Sequence, residues 1–286
     1  MFHTLVKGKL YVVATPIGNL DDISIRAKMT LQAVDWIACE DTRHSSRLLN
    51  YLGIKKTLYA LHEFNEQNQA IQLIEKLKNG ESGALISDAG TPLISDPGFE
   101  LIKLAHENEI PVTPIPGACA LISALSALAI GGNTFHFEGF LPSKSAARLQ
   151  RLTELKGCSE SLVFYEAPHR IKATLHALHE VFGPNRLAGI ARELTKKFES
   201  LYRDTIGVLL TQAIPERGEF VVVVAGAPKL EVKEEEHAQF EAVLKILLAE
   251  LPLKQAVKLT CEITGAKKNS VYEFGLELMN REPPFK

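Results

Sequence analysis

The stretch Ala84–Gly98, ALISDAGTPLISDPG, decides how the chain reads. Its first four residues, Ala84–Ser87, suit a short buried strand. A connection holding Asp88, Gly90, Pro92, Asp96, Pro97 and Gly98 follows, and a helical pattern runs over Gly98–His106. A strand that ends in a Gly/Pro-rich turn and feeds a helix is the repeating unit of a helix-covered parallel sheet. In open sheets of that kind ligands bind outside the carboxyl ends of the strands. The glycines let backbone approach a ligand closely, and the prolines hold the loop at low entropic cost. Two aspartates in such a loop suit a neutral or cationic ligand better than a polyphosphate.

The same unit recurs outward from this loop. Leu10–Ala14 (LYVVA) is a strand ending at Thr15–Asn19 (TPIGN), and Ser24 stands where it can cap a helix running to Ala33. Strands are expected at Trp36–Cys39, Thr57–Leu61 and Val112–Ile115, the last leading into PIPGA (Pro114–Ala118). Helices are expected near Ser45–Leu52, Glu66–Lys78 and Ala118–Leu128. The breaker cluster Gly131-Gly132-Asn133 marks the expected domain boundary. A second alternating set has strands at Phe135–Glu138, Leu162–Tyr165, Leu187–Ala191 and Phe220–Ala225, with helices near Ala146–Leu155 and Ile171–Val181. Phe220–Ala225 (FVVVVA) is apolar throughout, the pattern of a central strand covered on both faces. After Pro228 an acidic run, Glu231–Glu236, opens a helix that Pro252 stops. Leu253–Ile263 and Asn269–Leu278 follow as two more, in a loose helix-turn-helix layout that suits a packing cap or a nucleic-acid reader. The class is therefore α/β: two α/β domains, 1–131 and 132–228, with a small C-terminal helical appendage, 229–286.

Composition narrows the function. The chain has 286 residues, 46% of them apolar and 23% charged, which excludes a disordered or fibrous protein. Lys and Arg number 32 against 34 Asp and Glu, so no global basic footprint for nucleic acid exists. The stretch Leu141–Arg203 is locally basic, with eleven Lys/Arg against six Asp/Glu, and is expected to form either a basic patch or solvated helix faces. The 4 cysteines include no Cys-x-x-Cys pair, which argues against a zinc ribbon and for reduced thiols in a cytoplasmic protein. No signal-peptide pattern opens the chain, and its longest apolar run, Ala118–Ile130, is too short to span a bilayer. Phosphate-loop, dinucleotide, zinc-protease and nucleophile-elbow motifs are absent.

Ionisable residues gather at three strand ends. CEDTRHS (Cys39–Ser45) offers Glu40, Asp41, Arg43 and His44; YEAPHR (Tyr165–Arg170) offers Glu166, His169 and Arg170. ARELTKKFE (Ala191–Glu199) adds Arg192, Glu193, Lys196 and Lys197. Each cluster suits either substrate handling or a structural ion pair.

Taken in order, TPIGNLDDIS, EDTRHS, LISDAGTPLISDPG, PIPGACALISAL, FEGFLP, FYEAPHR and ARELTKKFE resemble the tetrapyrrole methylase-like superfamily, and within it the branch acting on ribosomal RNA. The resemblance runs from Lys9 to Ala227 and extends into the tail through LPLKQAV and GAKKNSVYEFGLEL. It implies two α/β domains of the class III methyltransferase type, arranged as a homodimer, with S-adenosylmethionine folded into the cleft. The implied reaction is 2′-O-methylation of a cytidine ribose in the decoding region of 16S rRNA within the small ribosomal subunit. Carried over by position, cofactor contacts would fall at Leu20; at Asp88, Thr91, Ile94 and Ser95; at Ala118 and Cys119; and at Tyr165, Ala191 and Glu219. Candidates for a general base are Glu166, His169 and Glu193, with Glu40 and His44 behind them. Arg43, His44, Arg170, Lys196, Lys267 and Lys268 are candidates for holding RNA, and no metal is implied. Two other functions stay open: a methylase of a small tetrapyrrole or similar acceptor, and a catalytically idle cofactor sensor. The tail and the basic stretch favour RNA.

Overall fold

Strand and helix alternate through the first half of the chain: β1 (Leu10–Val13), α1 (Ile25–Ala33), β2 (Trp36–Cys39), α2 (Thr42–Tyr51), β3 (Thr57–Ala60), α3 (Glu66–Lys78), β4 (Gly83–Leu85), α4 (Phe99–Glu107), β5 (Val112–Ile115) and α5 (Ala120–Leu128). The computed structural model describes residues 7–62 and 65–281, with 229–239, 280 and 281 described by backbone alone. The five strands form one parallel sheet in the order β3-β2-β4-β1-β5. Ser24 caps α1 as expected, its Oγ accepting from the Ala27 amide at 3.0 Å. Successive strand residues bury on opposite faces. Tyr11, Val13, Ile37 and Cys39 pack on one side with α1 and α2, while Leu10, Trp36 and Ala38 pack on the other with α3 and α4. Both faces are therefore covered, as a parallel sheet requires.

The second half holds β6 (Phe135–Phe140), α6 (Ser145–Glu154), β7 (Ser161–Glu166), α7 (Ile171–Phe182), β8 (Leu187–Arg192), β9 (Ser200–Thr205), α8 (Ile206–Thr211) and β10 (Phe220–Val224). Its sheet runs β6-β7-β10-β8-β9, and only β6 and β7 pair in parallel. β10 is central and buried on both faces, yet it runs antiparallel to β7 and β8. The strand is central and covered as its apolar run suggests, and such a run says nothing of strand direction. β9 and α8 were not visible in the sequence, because SLYRDT lies at the sheet edge and is only half buried.

One face of this second sheet is covered by α5. Leu121, Ala124 and Leu128 pack with Val163, Ala191, Val221 and Val223, so the last helix of the first series roofs the second sheet. The tail forms three helices, α9 (Lys229–Glu250), α10 (Leu253–Thr264) and α11 (Lys268–Arg281), around a separate core of Phe240, Leu244, Ala256, Val257, Val271 and Phe274. The side chains of the acidic run Glu231–Glu236 lie outside the described residues. Among the described residues no helix is long and apolar enough to cross a membrane.

The basic stretch Leu141–Arg203 does not make an open basic face. Arg148, Arg186 and Arg192 are buried. Arg151, Arg170, Lys172 and Lys196 stand in ion pairs with Glu138, Glu166, Glu216 and Glu193. Most of these cations hold the second half of the molecule together.

Gly83 shows how tightly the first sheet packs. A Cβ there would come within 2.2 Å of the Trp36 ring, which is fully buried. Gly83→Ala should lower the unfolding free energy by about 1–3 kcal/mol through overpacking. Urea denaturation followed by Trp36 fluorescence measures it, and an unchanged midpoint would contradict the packing described.

Candidate functional site

The loops after β1 and β4 pair with each other. Thr15 and Gly90 exchange backbone hydrogen bonds of 2.8 and 3.1 Å, and the Thr15 hydroxyl donates to the Ser87 carbonyl at 3.2 Å. Gly90 has φ +83°, and a Cβ there would stand 3.2 Å from Ile17, so the close approach needs glycine. Thr91 Oγ1 donates to the Ala118 carbonyl at 3.1 Å, tying the PIPGA turn to the same loop. Leu93 and Ser95 hold φ of 72° and 73°, a left-handed backbone that non-glycine residues adopt at a cost. On the far side, Gly18 packs under the Lys196 side chain, and the Asn19 amide donates to Thr195 Oγ1 at 3.1 Å.

Between these loops and the ends of β7, β8 and β10 lies a cavity of about 380 Å³. The first half contributes Ile17 and the Asp88–Asp96 loop; the second contributes Tyr165, Ala191, Leu194, Glu219, Phe220 and Val221, with Cys119 between them. Carboxylates gather on the first side. Burial, with Glu40 and Asp88 nearby, pushes the Asp96 carboxyl up to about 6, against a hydrogen bond from Ser87. Burial and the charges of Asp88 and Asp41 also raise Glu40. Asp41 caps α2, and its amide donates to Asp88 Oδ1 at 3.2 Å. The Arg43 guanidinium holds the Asp41 carboxyl down at about 2. Burial, then Cys119, pushes the Tyr165 hydroxyl up to about 12, and its oxygen accepts from the Leu121 amide at 3.3 Å. The cavity thus joins a negative wall to an apolar one, which suits a cation carrying an apolar or aromatic body.

Eight of the residues expected at a cofactor line it: Asp88, Thr91, Ile94, Ser95, Cys119, Tyr165, Ala191 and Glu219. Leu20 lies off the wall in a short helical turn, Leu20–Asp22, and Ala118 meets the site only through its carbonyl. The catalytic candidates fare differently. Glu166 reaches the wall, but its carboxylate accepts from Thr174 and the Ala167 amide and pairs with Arg170 at 3.1 Å. With both oxygens occupied and no exposure, it braces the turn after β7. Glu193, with φ 51°, accepts from the Glu219 amide at 3.0 Å and from Lys196 at 2.9 Å. Burial is the largest influence on it and works upward, yet Lys196 and the Glu219 amide together hold its carboxyl below the usual range. His169 is exposed and off the wall.

Among the RNA candidates, Arg170 donates to the Leu141 and Pro142 carbonyls besides its pair with Glu166, so it is not open to phosphate. Lys196 stands at the rim between Glu193 and Glu219, 2.9 Å from each. Arg43 and His44 are exposed at the start of α2, and Lys267 and Lys268 at the turn into α11. Sequence reasoning missed Arg26, Lys28 and Arg47, which are exposed on α1 and α2 with no ion-pair partner among the described residues. It also missed Ile17, Phe140, Leu194, Phe220 and Val221 in the wall. Apolar lining residues look like core in a sequence, and strand parity could have signalled only Phe220 and Val221.

Residues 9–210 match the family described as Tetrapyrrole (Corrin/Porphyrin) Methylases, and residues 234–279 match the RsmI C-terminal HTH domain. The chain is 49% identical over 277 residues to Ribosomal RNA small subunit methyltransferase I of Haemophilus influenzae, covering 96% of this chain and 98% of that protein. It is 50% identical over 274 residues to the protein of the same name in Pseudomonas aeruginosa, covering 94% and 97%. Among solved structures, uroporphyrin-III-C-methyltransferase from Thermus thermophilus shares the fold with a TM-score of 0.53 at 21% identity, covering 76% of this chain and 94% of that one. A conserved hypothetical protein from Aeropyrum pernix K1 gives a TM-score of 0.60 at 13% identity, covering 98% and 100%.

Asp96 carries a pH signature. Its folded value, about 6, lies above the unfolded 3.8. Below the lower value the carboxyl is protonated in both states and costs nothing. Stability is lost as pH rises toward the folded value and stays lost above it. Asp96→Asn should therefore match the parent near pH 4 and melt higher at pH 8. Melting curves across that range test it, and a gap independent of pH would refute the burial of this carboxyl.

Proposed function

The chain belongs to the tetrapyrrole methylase family, and within it to the ribosomal RNA small subunit methyltransferase I group, and from that premise we propose its reaction. It transfers the methyl group of S-adenosylmethionine to the 2′-hydroxyl of a cytidine ribose in the decoding region of 16S rRNA. It acts on the small ribosomal subunit, as a homodimer in the cytoplasm. The observation that carries this reading is the cavity, with carboxylates on one wall and apolar side chains on the other.

The residues present fit the cofactor. A volume of about 380 Å³ lies within the range of small-molecule sites. When bound, S-adenosylmethionine supplies an electrophilic methyl on a positively charged sulfur. Asp88 and Asp96 offset that positive charge. Ile17, Ile94 and Leu194 keep water from the reacting atoms. Transfer would be a single in-line displacement of the methyl that the bound cofactor supplies, so the chain's main work is alignment, worth roughly 7–11 kcal/mol of barrier. Proton removal adds less, roughly 10²–10⁴-fold. Of the three candidates for that step, His169 has no partner among the described residues but stands off the cavity wall, and Glu166 and Glu193 are held by partners, so we assign the step to no side chain. Glu166 acts through Arg170 as a positioning residue, and Glu193 anchors Lys196 at the rim.

RNA would reach the cavity along α2. Arg43 and Arg47 are spaced i,i+4, and Tyr51 continues the same stripe. Arg43 is already paired with Asp41 at 2.9 Å, so Arg47 is the cation of this stripe that has no ion-pair partner among the described residues. The stripe starts at the cavity wall, since the α2 cap Asp41 bonds to Asp88. Lys267 and Lys268 supply a second set of cations on the tail.

The deciding experiment supplies labelled S-adenosylmethionine with three acceptors: small subunits from cells lacking the enzyme, naked 16S rRNA, and a corrinoid precursor. Label on a single cytidine ribose of the subunit is expected. Label on the corrinoid alone would overturn the RNA reading, and cofactor binding without transfer would point to a sensor. With subunits as acceptor, Arg47→Ala should weaken binding and flatten the slope of log K against log salt by roughly 0.7, one phosphate contact to single-stranded RNA. Cofactor affinity should not change, and an unaltered salt slope would remove α2 from the RNA path.

A further inference from the structure

The bulge in β6 carries an inference that rests on the RNA reading. Phe137 pairs with Val163 of β7, but the next pair is Gly139 with Phe164, so Glu138 is an extra residue in the strand. Val163 and Tyr165 face α5, and Phe164 faces the opposite core. In an unbroken register Phe140 would pair with Glu166 and fall on the Phe164 side. The bulge turns it to the side of Tyr165, its pairing partner.

The structure maintains this bulge at some cost. Gly139 has φ +74°, and a Cβ there would lie 3.4 Å from Ser95 Oγ in the cavity loop. Glu138 is pinned on the other side by Arg151 Nε and Nη2, at 2.7 and 2.8 Å, and by His136 at 2.9 Å. The result is an aromatic ring 57% exposed at the cavity wall. It rests against Tyr165 with centroids 5.8 Å apart and planes at 64°, and Phe137 holds Tyr165 from behind at 5.0 Å. A phenyl ring turned out of a core and braced there is poised for a planar partner.

We propose that Phe140 is the platform on which the unpaired base of the acceptor nucleotide stacks, holding its ribose over the cavity. The base of a nucleotide whose 2′-oxygen reacts is joined to that same ribose, so it must sit at the cavity mouth, where Phe140 stands. Proteins that read single-stranded RNA stack its bases on aromatic side chains in this way. Stacking is tolerant of base identity, so Phe140 sets the position of the nucleotide and leaves its identity to other contacts.

The test uses the full-length chain, with subunits from cells lacking the enzyme as acceptor. Phe140→Ala should lower kcat/KM for subunits by about 5- to 150-fold, the equivalent of roughly 1–3 kcal/mol per stacked base. F140W and F140Y should restore most of it, whereas F140L should not. Phe140 also lines the cofactor cavity, so calorimetry should show any change in S-adenosylmethionine Kd to be much smaller than the loss in kcat/KM for subunits, and melting curves should coincide. Trp36 is the chain's single tryptophan and is buried, so F140W adds an exposed indole whose emission subunit binding should quench. Full activity in F140A or F140L would overturn the inference, and so would a loss of cofactor affinity matching the loss of activity. A parent chain that labels no subunit would remove the RNA reading itself.

Discussion

The hydrogen bonds exchanged by Thr15 and Gly90 are the constraint on which the site depends. Both residues lie just beyond β1 and β4, neighbouring parallel strands, where backbone groups lose their ladder partners. Buried amides and carbonyls must be paired, and here the two loops satisfy each other. That exchange brings Ile17 against Gly90 and sets the long loop to follow. The left-handed turns at Leu93 and Ser95, and the position of Asp96, come from how that loop closes on Gly98. An acidic wall is thus built from backbone demands before any ligand contributes.

The opposite wall has a different origin. Phe220–Val224 and Ser161–Glu166 are central strands whose odd and even residues serve separate cores. Their α5-facing residues are small or apolar near the cavity, which leaves room there in place of packing. Charged residues at these strand ends pair with one another, although Glu219 stays exposed at the rim. Glu166, Arg170 and Thr174 form one knot, and Glu193, Lys196 and Glu219 form another. The first fixes the turn after β7, and the second ties the rim to the TPIGN loop through Gly18.

Much of this was legible in the amino-acid sequence, and the exceptions have physical causes. The parallel first sheet followed from repeated strand–turn–helix units, and the extents of α3 and β5 matched their patterns to the residue. The cavity loop was conspicuous because glycine, proline and aspartate each serve a distinct backbone need there. Direction in the second sheet was not legible, since VVVV buries equally well either way. Roles for ionisable residues were the weakest reading. Glu166 and Arg170 sit in one hexapeptide that looks reactive, and only distances reveal that they satisfy each other. Phe140 was hidden for another reason: a bulge changes strand parity without any mark in the residue pattern.

The roof that α5 places over the second sheet has a consequence for biosynthesis. The helix is complete at Leu128, whereas the strand carrying Val221 and Val223 is made about ninety residues later. At roughly 5–20 residues per second, the nascent chain waits about 5–20 s with Leu121, Ala124 and Leu128 lacking their partners. Co-translational folding can therefore finish the first sheet on schedule but must hold its last helix in reserve. A pause or truncation within that interval would leave an apolar helix open to chaperones, so the order of synthesis makes the second sheet the step that commits the chain to its native state.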